Sequence, residues 1–434
     1  MKRIKKNLFA LIMLMMLAPA LVKAFPDIFT FSIAPLKGYQ KKAAMPELRL
    51  ENWFNGSYQQ DYERYLEDHI GLRNLLVRLH NQIDFSLFRK GNVASIVVGR
   101  NDCLYETNYI LAYTGQDFLG REAMEKKCRM IRAVQDTLEA SGTHLLIVMP
   151  PGKASFFPEN IPGRFLEKKS DSTNYDTYTD LFRRMGINHI DFNALFTGMK
   201  DTSRHALYHK CGIHWSIYGA WFALDSIIRY IEEVRDIDMV DMSIAGIEVS
   251  DIPRGSDYDM GDALNLYCRI HDRPMAYPYG YKYEAQGKVK PRIMVVADSY
   301  YWTIYNLHNA WLLWEEQDFR YYNQESFSPG KPSKKAERIT APYLKRFDLI
   351  IIMYTEANLP KFADGFFAEA LAALPEARRF EEIRQGIIRS PERLKQTRRK
   401  AIDKGISLQE MIDREARQVL IHETDKVNYH TEIE

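Results

Sequence analysis

PRIMVVADSYYW, residues 291–302, runs from an apolar stretch, Ile293 to Ala297, straight into Asp298-Ser299 and then into aromatics. The apolar run is too short for a helix and is rich in β-branched residues, the pattern of a buried strand. At the carboxyl end of a parallel strand a serine hydroxyl faces the crevice where open α/β sheets bind ligands. Ser299 is therefore a candidate nucleophile, and the plain structural alternative is that the Asp-Ser pair caps the next helix. Neighbouring strand residues point to opposite faces, so Asp298 reads as a residue bonding nearby backbone.

A serine hydroxyl is a weak nucleophile until a base takes its proton, and histidine is the usual base. His214 stands in YHKCGIHWSIYGAWFALDSIIRYI, residues 208–231, where Ser216 can cap a helix. The apolar residues Ala220, Phe222, Ala223, Ile227 and Tyr230 recur there at helical spacing. His214 and Trp215 thus fall on a loop just before a helix start, where function concentrates.

Two further runs, His144 to Met149 and Leu349 to Met353, read as buried strands, and Ile187 to Phe192 as a short one. Each leads into turn-forming or polar residues: Pro150-Pro151-Gly152-Lys153, Tyr354-Thr355-Glu356, and Asp191 near the tip of the short strand. Helical patterns at Glu122 to Glu139, stopped by Ser141-Gly142, and at Asn174 to Met185 alternate with these strands. Strands alternating with helices, each strand ending in polar groups, make an α/β fold with a parallel sheet and one functional edge. Lys153, in a turn, can hold an anionic group or an acyl oxygen. Asp191 and Glu356 are candidate site residues by position, with a cap or turn former the alternative for the strand-end Asp191. Ile244 to Tyr277 gives mixed signals, with Gly261 to Asn265 expected as a loop bordering the site. Tyr300, Tyr301, Trp302 and Tyr305 can stack on sugar rings, or can belong to the core.

The outer bounds are ordinary. At 434 residues, 46% hydrophobic and 27% charged, the chain can bury one large core or two modest ones. A formal net charge of +2 from balanced totals gives no bulk electrostatic argument for nucleic acid. MKRIKK followed by apolar Leu8 to Val22 is an export signal, cleaved or retained as an anchor. Phe25 to Pro46 reads as a linker, and Glu47 to Lys90 as mostly helical, with an apolar stripe through Tyr62, Tyr65, Leu66, His69, Leu72, Leu75, Leu76 and Leu79. Beyond about Leu374 a charged helical stretch follows, broken at Ser390-Pro391 and near Gly405. Cys103, Cys128, Cys211 and Cys268 leave pairing open. His205, His209, Cys211 and His214 are too crowded in sequence for a zinc site, so no metal is expected.

Several of these segments occur in an order that resembles the SGNH-hydrolase-like proteins of the alginate O-acetyltransferase type, the AlgX/AlgJ-like family. The resemblance rests on His214-Trp215 preceding the Ser299 strand, and on ENWFNGSYQQDYERYLEDHIGLRNLLVRLHN (51–81), GRNDCLYETNYILAYTG (99–115), LLIVMPPGKASFFPENIP (145–162) and FDLIIIMYTEANL (347–359). It implies a periplasmic protein that handles acetyl groups on a cell-surface polysaccharide without a cofactor. The implied partner is a membrane-bound O-acyltransferase that delivers the acetyl donor. Ser299 and His214 become nucleophile and base, with Asp298, Lys153, Asp191, Glu356 and Trp215 as supporting residues. Where the family has an aspartate two residues before the histidine, this chain has Gly212. A carboxylate from Asp191, Asp262 or Glu356 can stand in, or Ser299 and His214 act as a dyad. The expected division is a signal or anchor at 1–24, a linker at 25–45, an SGNH-like acetyltransferase domain at 46–375 and a helical appendage at 376–434. A carbohydrate esterase and a catalytically weak polysaccharide-binding or assembly protein are the alternatives.

Overall fold

A computed structural model describes residues 2–25, 33–38 and 41–431; parts of the expected linker, 26–32 and 39–40, lie outside the described residues. The chain forms two compact units, one of 1–107, 210–213 and 257–272, the other of 108–209, 214–256 and 273–434.

The larger unit is built on a seven-stranded sheet. Its strands are β1 (His144–Met149), β2 (His189–Asp191), β3 (Arg292–Ala297), β4 (Glu316–Tyr321), β5 (Glu325–Phe327), β6 (Lys334–Lys335) and β7 (Leu349–Met353). They lie in the order β6-β5-β4-β3-β7-β1-β2. The five strands from β4 to β2 are parallel, and β5 and β6 add an antiparallel edge. Register aligns Phe319, Val295, Ile351 and Leu146 across the middle of the sheet. Every residue of β7 is buried, as befits a central parallel strand covered on both faces. One face packs on the helices Arg121–Ala140 and Asn174–Met185, whose apolar residues Met124, Ile131, Val134, Leu138, Leu181 and Phe182 join the strand residues Ile147, Val296 and Ile352 in one core. Helix starts follow local chemistry: Thr173 accepts from the Asp176 N–H, Asp191 from the Ala194 N–H and Ser216 from the Gly219 N–H.

The charged C-terminal stretch is helical at Pro375–Arg389, Pro391–Asp403 and Leu408–Thr431. Ala377, Phe380, Ile383, Ile387, Ile412 and Ala416 from it enter the same core as the sheet. Arg384, with its side chain only 1% exposed, is held by Glu381 and Asp413.

In the smaller unit, Lys2–Ala24 is one helix. Its segment Ile4–Ala24, of mean hydropathy 1.9, is long and apolar enough to cross a membrane. Helices Ser57–His69 and Arg73–Phe88 follow, but the expected continuous stripe breaks at Leu72, which has φ 61°. Leu66, Leu76 and Leu79 are exposed, while Tyr58, Tyr62, Tyr65 and His69 stack in succession along one helix face. Phe85, Ile96, Val98, Leu104, Tyr258 and Met260 form this unit's core. Gly261 belongs to a short helix, Asp259–Ala263, where a loop was expected; the local apolar residues Met260 and Leu264 draw it into that core.

Candidate active site

Ser299 is partly exposed two residues past the end of β3, with Asp298 between. His214 reaches it, with Nε2 3.0 Å from the serine Oγ. The histidine is presented by a stretch pinned on either side. Tyr208 and Trp215 form a β-bridge, the Ser216 N–H donates to the Leu207 carbonyl at 2.9 Å, and the Ser216 hydroxyl donates to the Ala206 carbonyl at 2.7 Å. Trp215 is buried among Phe192, Phe196 and Tyr300. The Tyr300 ring also meets the His214 imidazole nearly edge-on, centroids 4.9 Å apart. Two polar side chains more than eighty positions apart in sequence are therefore brought within hydrogen-bond reach.

Asp298 is fully buried and has a different task. Its Oδ1 accepts from the Tyr300 N–H at 3.0 Å, and its Oδ2 accepts from the Thr355 N–H at 2.8 Å, the Thr355 hydroxyl at 2.9 Å and the Asn358 amide at 2.8 Å. It ties the serine turn to the end of β7. The Tyr300 N–H, the next donor downstream of the serine, is thereby engaged.

A further group stands beside Ser299. The Tyr322 N–H donates to the Ala297 carbonyl at 2.9 Å, and its phenol is in reach of the Ser299 side chain. Burial and the Asp298 carboxylate raise the phenol's pKa, so it stays a proton donor. Tyr322 and Asn323 have φ 48° and 55°, both left-handed, in the three-residue turn between the paired Tyr321 of β4 and Glu325 of β5. Asparagine is at home there; a tyrosine is strained by roughly 1–2 kcal/mol. Sequence reading missed Tyr322, and the only trace was a bulky residue where a hairpin turn favours glycine.

Lys153, expected in a turn as a residue able to hold an anionic group or an acyl oxygen, is fully buried at the start of the helix Lys153–Phe156. Its Nζ lies 6.0 Å from the Tyr208 ring centroid, and the Tyr208 hydroxyl is hydrogen-bonded to that of Tyr300. Asp191 accepts the Tyr175 hydroxyl on both oxygens, at 3.0 and 2.8 Å, besides capping its helix. Glu356 is buried and accepts the Ser155 hydroxyl at 2.9 and 2.6 Å and the Asn193 amide at 3.3 Å. Burial pushes its carboxyl up to about 7 against the pull of those two donors. Asp191 and Glu356 are thus committed to local partners. Asp262, in the smaller unit, is 44% exposed and lies 4.0 Å from both Lys37 and Arg269. Of the aromatics after Ser299, Tyr300 and Tyr301 are core residues, and Trp302 packs on Tyr305, Phe319 and Phe327.

Residues 96–249 match the family described as SGNH hydrolase-like domain, acetyltransferase AlgX. That span contains His214, Lys153 and Asp191 and ends before Ser299 and Glu356. The chain is 24% identical over 210 residues to the probable alginate O-acetylase AlgJ of Pseudomonas aeruginosa, 48% of this chain and 50% of that protein. It is 25% identical over 186 residues to the protein of the same name from Azotobacter vinelandii, 42% and 44% of the two chains. It spans about half the length of the curated relatives it matches. Among solved structures, the O-acetyltransferase domain of Pseudomonas putida AlgJ superposes with a TM-score of 0.41 at 16% identity, covering 64% of this chain and 98% of that domain. Over residues 96–249 the chain is thus similar to the SGNH hydrolase-like domain of the AlgX family, and over about half its length to the AlgJ proteins.

Proposed function

We propose that this protein is an exported O-acetyltransferase acting on a cell-surface polysaccharide, with Ser299 as nucleophile and His214 as base. The observation that carries the reading is the 3.0 Å contact between His214 Nε2 and Ser299 Oγ at the end of a central parallel strand. In the first half-reaction Ser299 Oγ attacks the carbonyl of an acetyl donor while His214 takes the hydroxyl proton. The donor's leaving group departs with that proton. In the second, His214 takes the proton of a sugar hydroxyl, whose oxygen attacks the acetyl-serine, and Ser299 is regenerated with its proton.

The oxyanion formed in each half needs donors. With the Tyr300 N–H engaged by Asp298, the Tyr322 phenol is our candidate for one of them. Trp215 and Tyr300 hold the imidazole, and Asp298 holds the serine turn. Lys153, behind Tyr208, supports the same wall.

The apolar helix Ile4–Ala24 fits a signal or an anchor, and supports export to the periplasm. Acetyl groups then come from the other side of the membrane, which calls for a membrane-bound O-acyltransferase partner. In this reading residues 46–375 are the acetyltransferase domain and 376–434 its helical addition.

Acetate release from a chromogenic acetyl ester tests the reading. The wild-type protein is expected to release it and Ser299→Ala is not; equal release by both retires Ser299 as nucleophile. Mass spectrometry of an added oligosaccharide separates transfer from hydrolysis, since a transferase leaves acetylated sugar and an esterase only acetate.

A further inference from the structure

Exposed apolar residues crowd into one part of this protein. Among the described residues, twelve large apolar side chains between positions 45 and 88 are exposed, against eleven in the whole of the larger unit. Singly such residues need no account; gathered in a patch they mark a surface that something covers. The helix Arg73–Phe88 shows the pattern best. Leu76, Leu79, Ile83 and Leu87 recur at steps of three and four, which sets them on one face over about 17 Å. Each of the four is at least 39% exposed. The face turned inward is partly polar: Phe85 enters the unit's core, Asn81 donates to the Leu264 carbonyl at 2.8 Å, and Arg78 donates to the Pro35 carbonyl at 2.9 Å. A helix bathed in water has the opposite arrangement, with its apolar stripe on the core.

What lies beside this helix names the cover. Gly71, in the turn before it, meets the carboxyl end of the helix Lys2–Ala24: an added Cβ would strike the Pro19 carbonyl oxygen and sit 2.9 Å from the Lys23 nitrogen. Pro19 is buried there, while most of Ile4–Ala24 is exposed. That segment is long and apolar enough to cross a bilayer. Lys2, Arg3, Lys5 and Lys6 cluster at its start, the charge pattern that keeps that end in the cytoplasm. The end that emerges from the bilayer is therefore the end seated on Gly71, and the exposed face begins five residues further on. Leu66 and Ile70, just before Gly71, are exposed as well. Lys23, Lys41 and Lys42, all exposed, follow the span in sequence and suit anionic lipid headgroups.

We propose that the helix Arg73–Phe88 lies along the bilayer surface where the N-terminal helix emerges, its Leu76, Leu79, Ile83 and Leu87 set among headgroups and upper acyl chains. The protein then holds its membrane by a surface helix as well as a spanning one. This placement rests on the anchor reading of the N-terminal helix, since a cleaved signal leaves no span for Gly71 to meet.

Single cysteines carrying an environment-sensitive dye test this. Cys103, Cys128 and Cys211 are buried and Cys268 is exposed, so the full chain is taken as Cys268→Ser. Leu14→Cys reports the middle of the span, Ile83→Cys and Leu87→Cys the proposed face, and Glu122→Cys an exposed position on a charged helix of the larger unit. Each labelled chain is reconstituted into vesicles of phosphatidylethanolamine and phosphatidylglycerol, and quenching by nitroxide lipids is compared with quenching by aqueous iodide. The dye at 14 is expected to be quenched by nitroxides at the acyl-chain ends. Dyes at 83 and 87 are expected to be quenched by nitroxides near the glycerol roughly threefold more than the dye at 122, with iodide giving the reverse order. If 14 meets lipid while 83 and 87 meet iodide as freely as 122, the surface placement is overturned and the anchor stands. If neither quencher reaches 83 and 87, a second copy of the chain covers the face, and the placement is equally overturned. If 14 itself meets no lipid, the anchor reading falls and the placement with it.

Discussion

The Asp298 carboxylate accepts both the backbone N–H and the hydroxyl of Thr355, so the turn that carries Ser299 is fastened to the neighbouring strand. Asp298→Ala strips partners from the buried Tyr300 and Thr355 N–H groups at once. We expect it to destabilise the protein by about 3 kcal/mol, read by urea unfolding, and to abolish acetate release. An unchanged urea midpoint would show that the fastening is dispensable.

Replacing the base should cost as much as replacing the nucleophile, because each is useless without the other. His214→Ala and Ser299→Ala are each expected to lower kcat for ester cleavage by about a thousandfold or more, and the double variant by no more than either alone. Additive losses in that cycle would mean that the two side chains do not act together.

Tyr322→Phe keeps the ring and removes the hydroxyl. As an oxyanion donor, the phenol is expected to contribute about a hundredfold in kcat, with stability changed little because the residue is only half-buried. A rate within a factor of about two of wild type would place the stabilising donors elsewhere.

Glu356 gives a pH signature. Its carboxyl is raised from 4.5 to about 7 in the folded protein. Below pH 4.5 it is protonated in both folded and unfolded chains and costs nothing. From pH 4.5 to about 7 the unfolded chain gives up this proton while the folded one keeps it, so stability falls by roughly 3 kcal/mol across that window and levels off once the folded group has also ionised. Glu356→Gln removes that loss, so thermal unfolding at pH 5 and pH 8 should show the variant gaining on wild type at the higher pH. A pH-independent difference would contradict a buried, titrating Glu356.

Gly152 is required by space alone. Its backbone, φ −80° and ψ 141°, suits any residue, but an added Cβ would sit 1.7 Å from Glu356 Oε1 and 2.5 Å from its Cγ. Gly152→Ala is expected to cost about 1–3 kcal/mol, with part of the loss recovered in Gly152→Ala/Glu356→Ala. No recovery in the double variant would locate the strain elsewhere.

Much of this architecture is written in local pattern. The strands His144–Met149 and Leu349–Met353 and the helix Asn174–Met185 are legible residue for residue, because unbroken burial and clear caps leave no competing reading. The pairing of Ser299 with His214 could be guessed from residue chemistry. The buried group of Glu356 with Ser155 and Asn193 could not, since Ser155 and Asn193 are unremarkable polar residues until the sheet order brings β1, β2 and β7 together. The full burial of Lys153 was not legible, because a Pro-Pro-Gly turn signals surface and only tertiary packing encloses it. The C-terminal helices hid their core face behind Arg and Glu, with Phe380, Ile383 and Ile387 spaced widely enough to read as incidental. Tyr322 is invisible because its conformation, not its chemistry, sets it apart.

The parallel pairing of β7 between β3 and β1 has a consequence for how activity would be lost. Amides on such a strand exchange with solvent only when the whole unit opens, so the serine side of the site belongs to the part that opens last. The histidine side is held from a loop, by the bridge between Tyr208 and Trp215, the hydrogen bonds around it and the packing of Trp215 among Phe192, Phe196 and Tyr300. A loop that opens before the sheet would separate the two side chains while most of the unit is still folded, so activity would fade at a lower urea concentration than the global signal; coincident curves would show that both halves open together.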